Sequence, residues 1–78
     1  MWYVYIVECS DGTLYTGITT DVTKRIETHN KGKGAKYTMS RRPVVLKKWF
    51  MFEDKSSASK EEYRIKQLNK KEKLKLCQ

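Results

Sequence analysis

The sequence predicts a single small α+β domain over residues 1–78. Two β-prone runs at the start of the chain are joined by turn-forming residues, a third apolar run lies in the middle, and the other segments have helical character. A chain of this length buries only about 60% of its unfolded surface, so the core must be compact. With 38% hydrophobic and 12% aromatic residues, the chain has enough apolar material to fold.

The first two strands form a predicted hairpin. Residues 2–9 (WYVYIVEC) are aromatic and β-branched, which is typical of a strand buried on both faces. Ser10, Asp11 and Gly12 are turn-forming residues, and residues 13–18 (TLYTGI) form a second short β-prone run.

The length of the hairpin loop decides where two tyrosines lie. With a two-residue loop, Tyr15 pairs with Glu8 and points to the sheet face opposite Tyr5, because side chains alternate along a strand. With a three-residue loop, Tyr15 pairs with Val7 and both tyrosines share one face. Gly12 suits the left-handed last position of a three-residue loop. The sequence permits either register, and only the second builds a shared site.

The middle of the chain is predicted as a helix, a basic loop and a third strand. Thr20 or Asp21 can cap a helix that runs to about residue 30. Residues 31–42 (KGKGAKYTMSRR) are predicted as a basic loop closed by a proline, and residues 44–52 (VVLKKWFMF) as the third strand.

The last third is predicted to be helical. Ser56 or Ser57 can cap a helix that runs to about Leu68. Asn69 is expected to separate it from a short, lysine-rich last helix.

Positive charge is concentrated in the middle of the chain. Lys and Arg number 17 against 9 Asp and Glu, which gives a formal net charge of +8. Residues 1–23 carry a net charge of −3, residues 24–52 carry +8 and residues 53–78 carry +3. Such a concentration is typical of a phosphate-binding surface, and a solvated, solubilising surface is the alternative.

Composition excludes several classes of protein. The apolar run from Trp2 to Val7 is too short for a signal peptide or a membrane span. Cys9 and Cys77 form no C-x-x-C pair and His29 is the only histidine, so a structural zinc site is excluded and a disulfide scaffold is not expected. We therefore expect a reduced, cytoplasmic domain with no membrane partner.

The order of the remaining motifs resembles the GIY-YIG nuclease family. Residues 3–5 (YVY) and residues 15–17 (YTG), nine residues apart, resemble its signature pair. Arg25 follows ten residues after the second tyrosine, His29 follows four residues later, and Glu62 lies on a later predicted helix. The likeness covers essentially the whole chain and is greatest to small single-domain bacterial members.

The resemblance implies a fold and an activity. The implied fold is a three-stranded, mainly antiparallel sheet flanked by helices, in the order β-β-α-β-α-α. The implied activity is metal-dependent DNA endonuclease cleavage, which we expect to be structure-selective or dependent on a protein partner that supplies specificity. The alternative is a catalytically weak or inactive nucleic-acid-binding module, and a basic protein-interaction domain is a third interpretation.

The resemblance also implies catalytic roles for five residues. Glu62 would hold one hydrated divalent cation, Mg²⁺ or Mn²⁺. Arg25 would bind phosphate oxygens through its fork of N–H groups. Tyr5 or Tyr15 would orient or deprotonate the attacking water, and His29 would polarise a tyrosine or share the role of base.

The sequence offers two alternatives to Glu62 as the metal ligand: a capping role for Glu62 itself, and Glu61 as the ligand. Ser59 and Glu62 fit an S-x-x-E capping box, in which the carboxylate would bind the backbone instead of a metal. Glu61 projects closer to the apolar side of the same predicted helix. The family order, in which the glutamate precedes residues 63–66 (YRIK), favours Glu62.

Nucleic-acid contacts are expected from a glycine and from the basic segment. Gly17 would let a phosphate approach the backbone closely. The expected cationic contacts are Lys24, Lys33, Lys36, Arg41 and Arg42.

Overall fold

The computed structural model describes all residues from 1 to 78. Its elements in chain order are β1 (Trp2–Glu8), β2 (Leu14–Thr19), α1 (Val22–Asn30), α2 (Lys36–Met39), β3 (Val45–Phe52), α3 (Lys55–Lys66) and α4 (Lys70–Leu76). The α+β class is confirmed, and the predicted order holds with the addition of α2, a single helical turn inside the segment predicted as a loop. None of the helices is long and apolar enough to cross a membrane.

The three strands form one antiparallel sheet in the order β2-β1-β3. Tyr5 lies opposite Gly17, and Val7 lies opposite Tyr15. Gly12, at the end of the connecting loop, has a φ of 83°, a left-handed conformation that glycine adopts without steric cost. The three-residue loop is therefore confirmed, and both tyrosines lie on the same face of the sheet.

The central strand is buried on both faces, as the sequence predicts. Its even-numbered side chains pack against α3, in a core formed by Val4, Ile6, Ala58 and Ile65. Its odd-numbered side chains pack beneath α1, in a core formed by Tyr5, Val7, Cys9 and Val44, with Val22 and Ile26 against it. Because α1 and α3 cover opposite faces, a site that uses both must lie near an edge of the sheet.

Both ends of α1 are fixed by side-chain hydrogen bonds. Asp21, one of the two predicted caps, accepts a 3.0 Å hydrogen bond from the N–H of Lys24. At the other end, the Asn30 side chain accepts a hydrogen bond from the N–H of Val44 at 2.7 Å and donates one to its carbonyl at 3.1 Å. This pair of bonds joins the end of α1 to the start of β3, so the intervening basic segment is a closed loop.

The start of α3 differs from the prediction. Asp54 is the N-cap and accepts a 2.7 Å hydrogen bond from the N–H of Ser57, so caps at Ser56 or Ser57 are wrong by two or three residues. Asp and Ser are comparable caps, and the aspartate comes first in the chain. Ser59 consequently lies inside the helix, and the capping box with Glu62 is wrong.

The predicted break at Asn69 is confirmed. Asn69 caps α4 by accepting a 2.9 Å hydrogen bond from the N–H of Glu72, whose carboxylate accepts one from the N–H of Asn69 at 3.1 Å. The capping box of this protein is therefore at the start of α4, whereas the sequence pattern predicts one at Ser59 and Glu62.

Candidate active site

A buried tyrosine–histidine pair forms the centre of the candidate site. The Tyr5 hydroxyl lies 2.7 Å from Nε2 of His29. The two residues are only 1% and 0% exposed. Tyr5 belongs to the central strand and His29 to the last turn of α1, so packing of the helix on the sheet brings them together.

The hydrogen bonds around His29 determine its tautomer. The Thr38 hydroxyl donates to the carbonyl of Ala35 at 2.9 Å, so its oxygen accepts from Nδ1–H of His29 at 2.7 Å. Burial lowers the pKa of His29, and the positive charge of Arg25 lowers it further. The ring is therefore neutral at pH 7, with its lone pair on Nε2, and accepts the hydroxyl proton of Tyr5 in a hydrogen bond.

Arg25 holds the Tyr5 hydroxyl from a second side. Its Nε–H donates to the phenolic oxygen at 3.4 Å. Burial raises the pKa of Tyr5, and the hydrogen bond and charge of Arg25 only partly oppose this; the charges of Tyr15 and Glu62 raise it further. Tyr5 is therefore protonated at neutral pH, and its proton is directed at His29.

Two glycines make room for the pair. A Cβ on Gly17 would lie 2.5 Å from the Tyr5 hydroxyl oxygen and 2.7 Å from its Cζ, and a Cβ on Gly34 would overlap the His29 ring. Gly17 is buried beneath the tyrosine. Sequence analysis assigned Gly17 to the close approach of a phosphate, but the structure fills that space with Tyr5.

Tyr15 lies at the open side of the pair. Its ring is edge-on to His29, with centroids 5.5 Å apart, and is 6.4 Å from the ring of Tyr5. The ring of Tyr37, from α2, stacks on it at 5.7 Å, and the guanidinium of Arg41 covers Tyr37 at 4.0 Å. The Tyr15 hydroxyl makes no hydrogen bond within the protein, so it is free to bind water or a ligand.

Glu62 approaches the tyrosines from α3. Its carboxylate lies 3.3 Å from Nζ of Lys66, and that ammonium group lies 5.8 Å from the centre of the Tyr15 ring. Glu61, by contrast, accepts two hydrogen bonds from Arg64 at 2.5 and 2.9 Å, which hold its pKa below the usual range. The geometry favours Glu62 over Glu61 as the carboxylate of the site.

The predicted cationic contacts fall into two groups. Arg41 binds the Asp11 carboxylate at 3.0 Å, and Arg42 donates to the carbonyl of Met39 at 2.8 Å, so both arginines hold the loop in its fold. The remaining cations are exposed and form no ion pair: Lys24, Lys33 and Lys36.

Three residues of the site are not predicted from the sequence. Gly34, Tyr37 and Thr38 all lie in the segment predicted as a basic loop, and all three contact a predicted catalytic residue. The available signal was the mixture of small and aromatic residues among the lysines of residues 32–38 (GKGAKYT).

Comparison with known proteins identifies a family that matches nearly the whole chain. The GIY-YIG catalytic domain family matches residues 1–75. A UPF0213 protein of Staphylococcus haemolyticus is 58% identical over 76 residues, which cover 97% of this chain and 93% of the relative. A UPF0213 protein of Halobacterium salinarum is 56% identical over 73 residues, covering 94% of this chain and 95% of the relative. The NMR structure of a UPF0213 protein from Bacillus halodurans has a TM-score of 0.61 and 49% identity, covering 97% of this chain and 82% of that chain.

We expect the folded state to lose stability as the pH falls below about 6.5. Because burial lowers the pKa of His29 in the folded state, the unfolded chain gains a proton at a higher pH than the folded chain. This stabilisation is complete above the unfolded pKa and is lost as the pH falls through the folded one. Urea unfolding between pH 8 and pH 5 measures the loss, and NMR titration of the single histidine gives its pKa directly; a value at or above about 6.5 would contradict the burial argument.

We expect Thr38→Val to disturb His29 and Thr38→Ser to leave it intact. Valine removes the acceptor of Nδ1–H and leaves a buried donor unpaired, which should lower the free energy of unfolding by about 1–3 kcal/mol. Nitrogen-15 shifts of the His29 ring should report the Nδ1–H tautomer in the wild type and the serine variant, and lose it in the valine variant. An unchanged tautomer in Thr38→Val would show that Thr38 does not select it.

Proposed function

This chain belongs to the GIY-YIG family of nuclease-type catalytic domains, and from that membership we propose that it is a metal-dependent endonuclease domain that hydrolyses phosphodiester bonds of DNA. The observation that carries the proposal is the Tyr5 hydroxyl, which is hydrogen-bonded to both His29 and Arg25. Tyr15 and Glu62 border it from a second strand and a third helix.

The Tyr5–His29 pair can take a proton from the attacking water. The water proton would pass to the phenolic oxygen while Tyr5 passes its own proton to Nε2 of His29. The raised pKa of Tyr5 disfavours a free tyrosinate, so the two transfers are coupled and His29 is the final acceptor. The lowered pKa of His29 disfavours its charged form, and the anionic phosphate would offset that charge. Tyr15, with its unpaired hydroxyl, is suited to orienting the same water.

Arg25 is suited to the scissile phosphate. Only its Nε is used within the protein, so both terminal nitrogens of the guanidinium are available for phosphate oxygens. Beside it lies a shallow recess of about 170 Å³, lined by polar side chains that include Lys24 and Thr28. A charged fork next to a polar recess is the environment that an anionic phosphodiester requires.

Glu62 is the residue that would hold the divalent cation. No cluster of three or more His, Cys, Asp or Glu side chains is present, which rules out a cage built wholly from protein ligands of these types. A single carboxylate fits Mg²⁺, which keeps most of its waters and binds through one or two carboxylates and the substrate phosphate. When bound, the ion supplies electrostatic stabilisation of the charge that develops on the phosphate.

We further propose that the domain selects DNA by structure or is directed by a protein partner. The exposed cations without an ion pair that we expect to contact nucleic acid, Lys24, Lys33 and Lys36, are all lysines, which contact phosphates. Phosphate contacts fix position on nucleic acid and carry no sequence information directly.

Replacing Glu62 with Gln should separate cleavage from binding. We expect Mg²⁺-dependent cleavage of branched DNA to fall by about 100-fold or more. Binding in EDTA should hold or tighten because a negative charge is lost. Glu61→Gln is the matched control and should cleave at the wild-type rate, since Glu61 pairs with Arg64 away from the tyrosines.

Two outcomes of this experiment would count against the proposal. Wild-type cleavage by Glu62→Gln would mean that Glu62 is not the metal ligand. A wild-type protein that binds branched DNA but never cuts it with Mg²⁺ or Mn²⁺ would be a nucleic-acid-binding module instead.

The basic loop should contribute to binding through Lys33 and Lys36. The double alanine variant should reduce the slope of log affinity against log salt by about 1.4 to 1.8, because each phosphate contact contributes about 0.7 to 0.9. Lys71 and Lys75 provide a control with the same charge change, on α4, whose Leu76 packs against the opposite face of the sheet from α1. If the Lys33 and Lys36 variant reduces the salt slope no more than the Lys71 and Lys75 control does, the loop is a solubilising surface only.

A further inference from the structure

A second cavity lies at the start of α1 and has no part in the proposed reaction. It holds about 380 Å³, within the range of small-molecule sites. Its apolar wall is formed by Tyr3, Val22, Leu46 and Trp49, and its polar rim by Thr20, Asp21 and Thr23.

Trp49 gives this cavity an exposed aromatic surface. It lies opposite Tyr5 in the sheet, so its side chain projects from the same face as the candidate active site. The ring packs against Tyr3, with centroids 5.7 Å apart and planes at 75°, and the residue remains 50% exposed. An indole that is fixed by one neighbour and open on the rest of its surface can stack on a planar ligand.

The charge at the rim determines the chemistry of that ligand. No Lys or Arg lines the cavity, and Asp21 does. One carboxylate oxygen of Asp21 accepts a hydrogen bond from the N–H of Lys24, and the other has no hydrogen-bond donor within the protein. Without a cation to offset Asp21, as Lys24 and Arg25 do in the neighbouring recess, a phosphate would be repelled here. A neutral nucleobase with an exocyclic amine could donate to the free carboxylate oxygen and to the hydroxyls of Thr20 and Thr23.

The cavity adjoins the recess that contains Arg25. Thr20 and Asp21 line both spaces, one on each side of the start of α1. Arg25 is four residues after Asp21, about 6 Å along the helix axis. A strand with one phosphate at Arg25 would have to pass Thr20 and Asp21 to place a neighbouring base against Trp49.

We propose that this cavity is a stacking site for an unpaired nucleobase next to the phosphodiester at Arg25. This inference rests on the proposed function and names the substrate class: DNA in which a base next to the cleaved bond is already unpaired or is easily extruded. A base must leave the duplex stack to reach the indole, and that step is least unfavourable in branched, mismatched or single-stranded DNA.

Fluorescence of Trp49 tests the proposal directly. Trp2→Phe removes the only other tryptophan and leaves Trp49 as the reporter. In EDTA, an eight-nucleotide oligo(dC) should quench Trp49 and bind about 5- to 150-fold more tightly than an abasic strand of equal length. The two strands have the same phosphates, so the difference reports the bases alone.

Substitution of Trp49 completes the test. In the otherwise wild-type chain, Trp49→Ala should bind oligo(dC) and the abasic strand equally, with unchanged affinity for the abasic strand. Met51→Ala, at a similarly exposed position of the same strand, should keep the preference for oligo(dC). Equal binding of both strands by the wild type, without quenching, would overturn the stacking site and leave cleavage to be judged by the Glu62 experiment.

Discussion

The hydrogen bond between Tyr5 and His29 is the constraint on which the candidate site depends. Burying a hydroxyl and an imidazole is unfavourable unless both are hydrogen-bonded, and here every polar atom of the pair has a partner. The arrangement requires the three-residue hairpin loop, two glycines that admit the rings, and an acceptor for Nδ1–H. Because a partly satisfied buried network is destabilising, these features must all be present together.

Residues 31–42 contribute both to the exposed basic surface and to the candidate site. The exposed lysines of this segment are free to bind phosphates, while Gly34, Tyr37 and Thr38 contact His29 or Tyr15. Arg41 binds the Asp11 carboxylate and Arg42 donates to the carbonyl of Met39, and these contacts hold the segment in its folded conformation. A ligand that binds these lysines and moves the segment would therefore also change the hydrogen bond between Tyr5 and His29.

Sequence analysis predicted the parts of the site that depend on strand alternation and on motif order. The sequence permits two registers, and Gly12 suits the one in which Tyr5 and Tyr15 share a face, because loop length determines register. Thr38 could not be found in this way, since its role arises from contact with a residue nine positions away across an irregular loop. The cap of α3 was misplaced because Asp and Ser are comparable N-caps, and only the folded backbone selects one.

The burial of Tyr5 and His29 has an evolutionary consequence. Selection for a stable core alone would keep this pair and the two glycines that accommodate it, even in a lineage that had lost catalysis. Glu62 and Arg25 are partly exposed, and their replacement would disturb the core far less. Across a set of descendants, retention of the glutamate and the arginine would therefore record selection for chemistry, whereas retention of the tyrosine and the histidine records selection for folding as well.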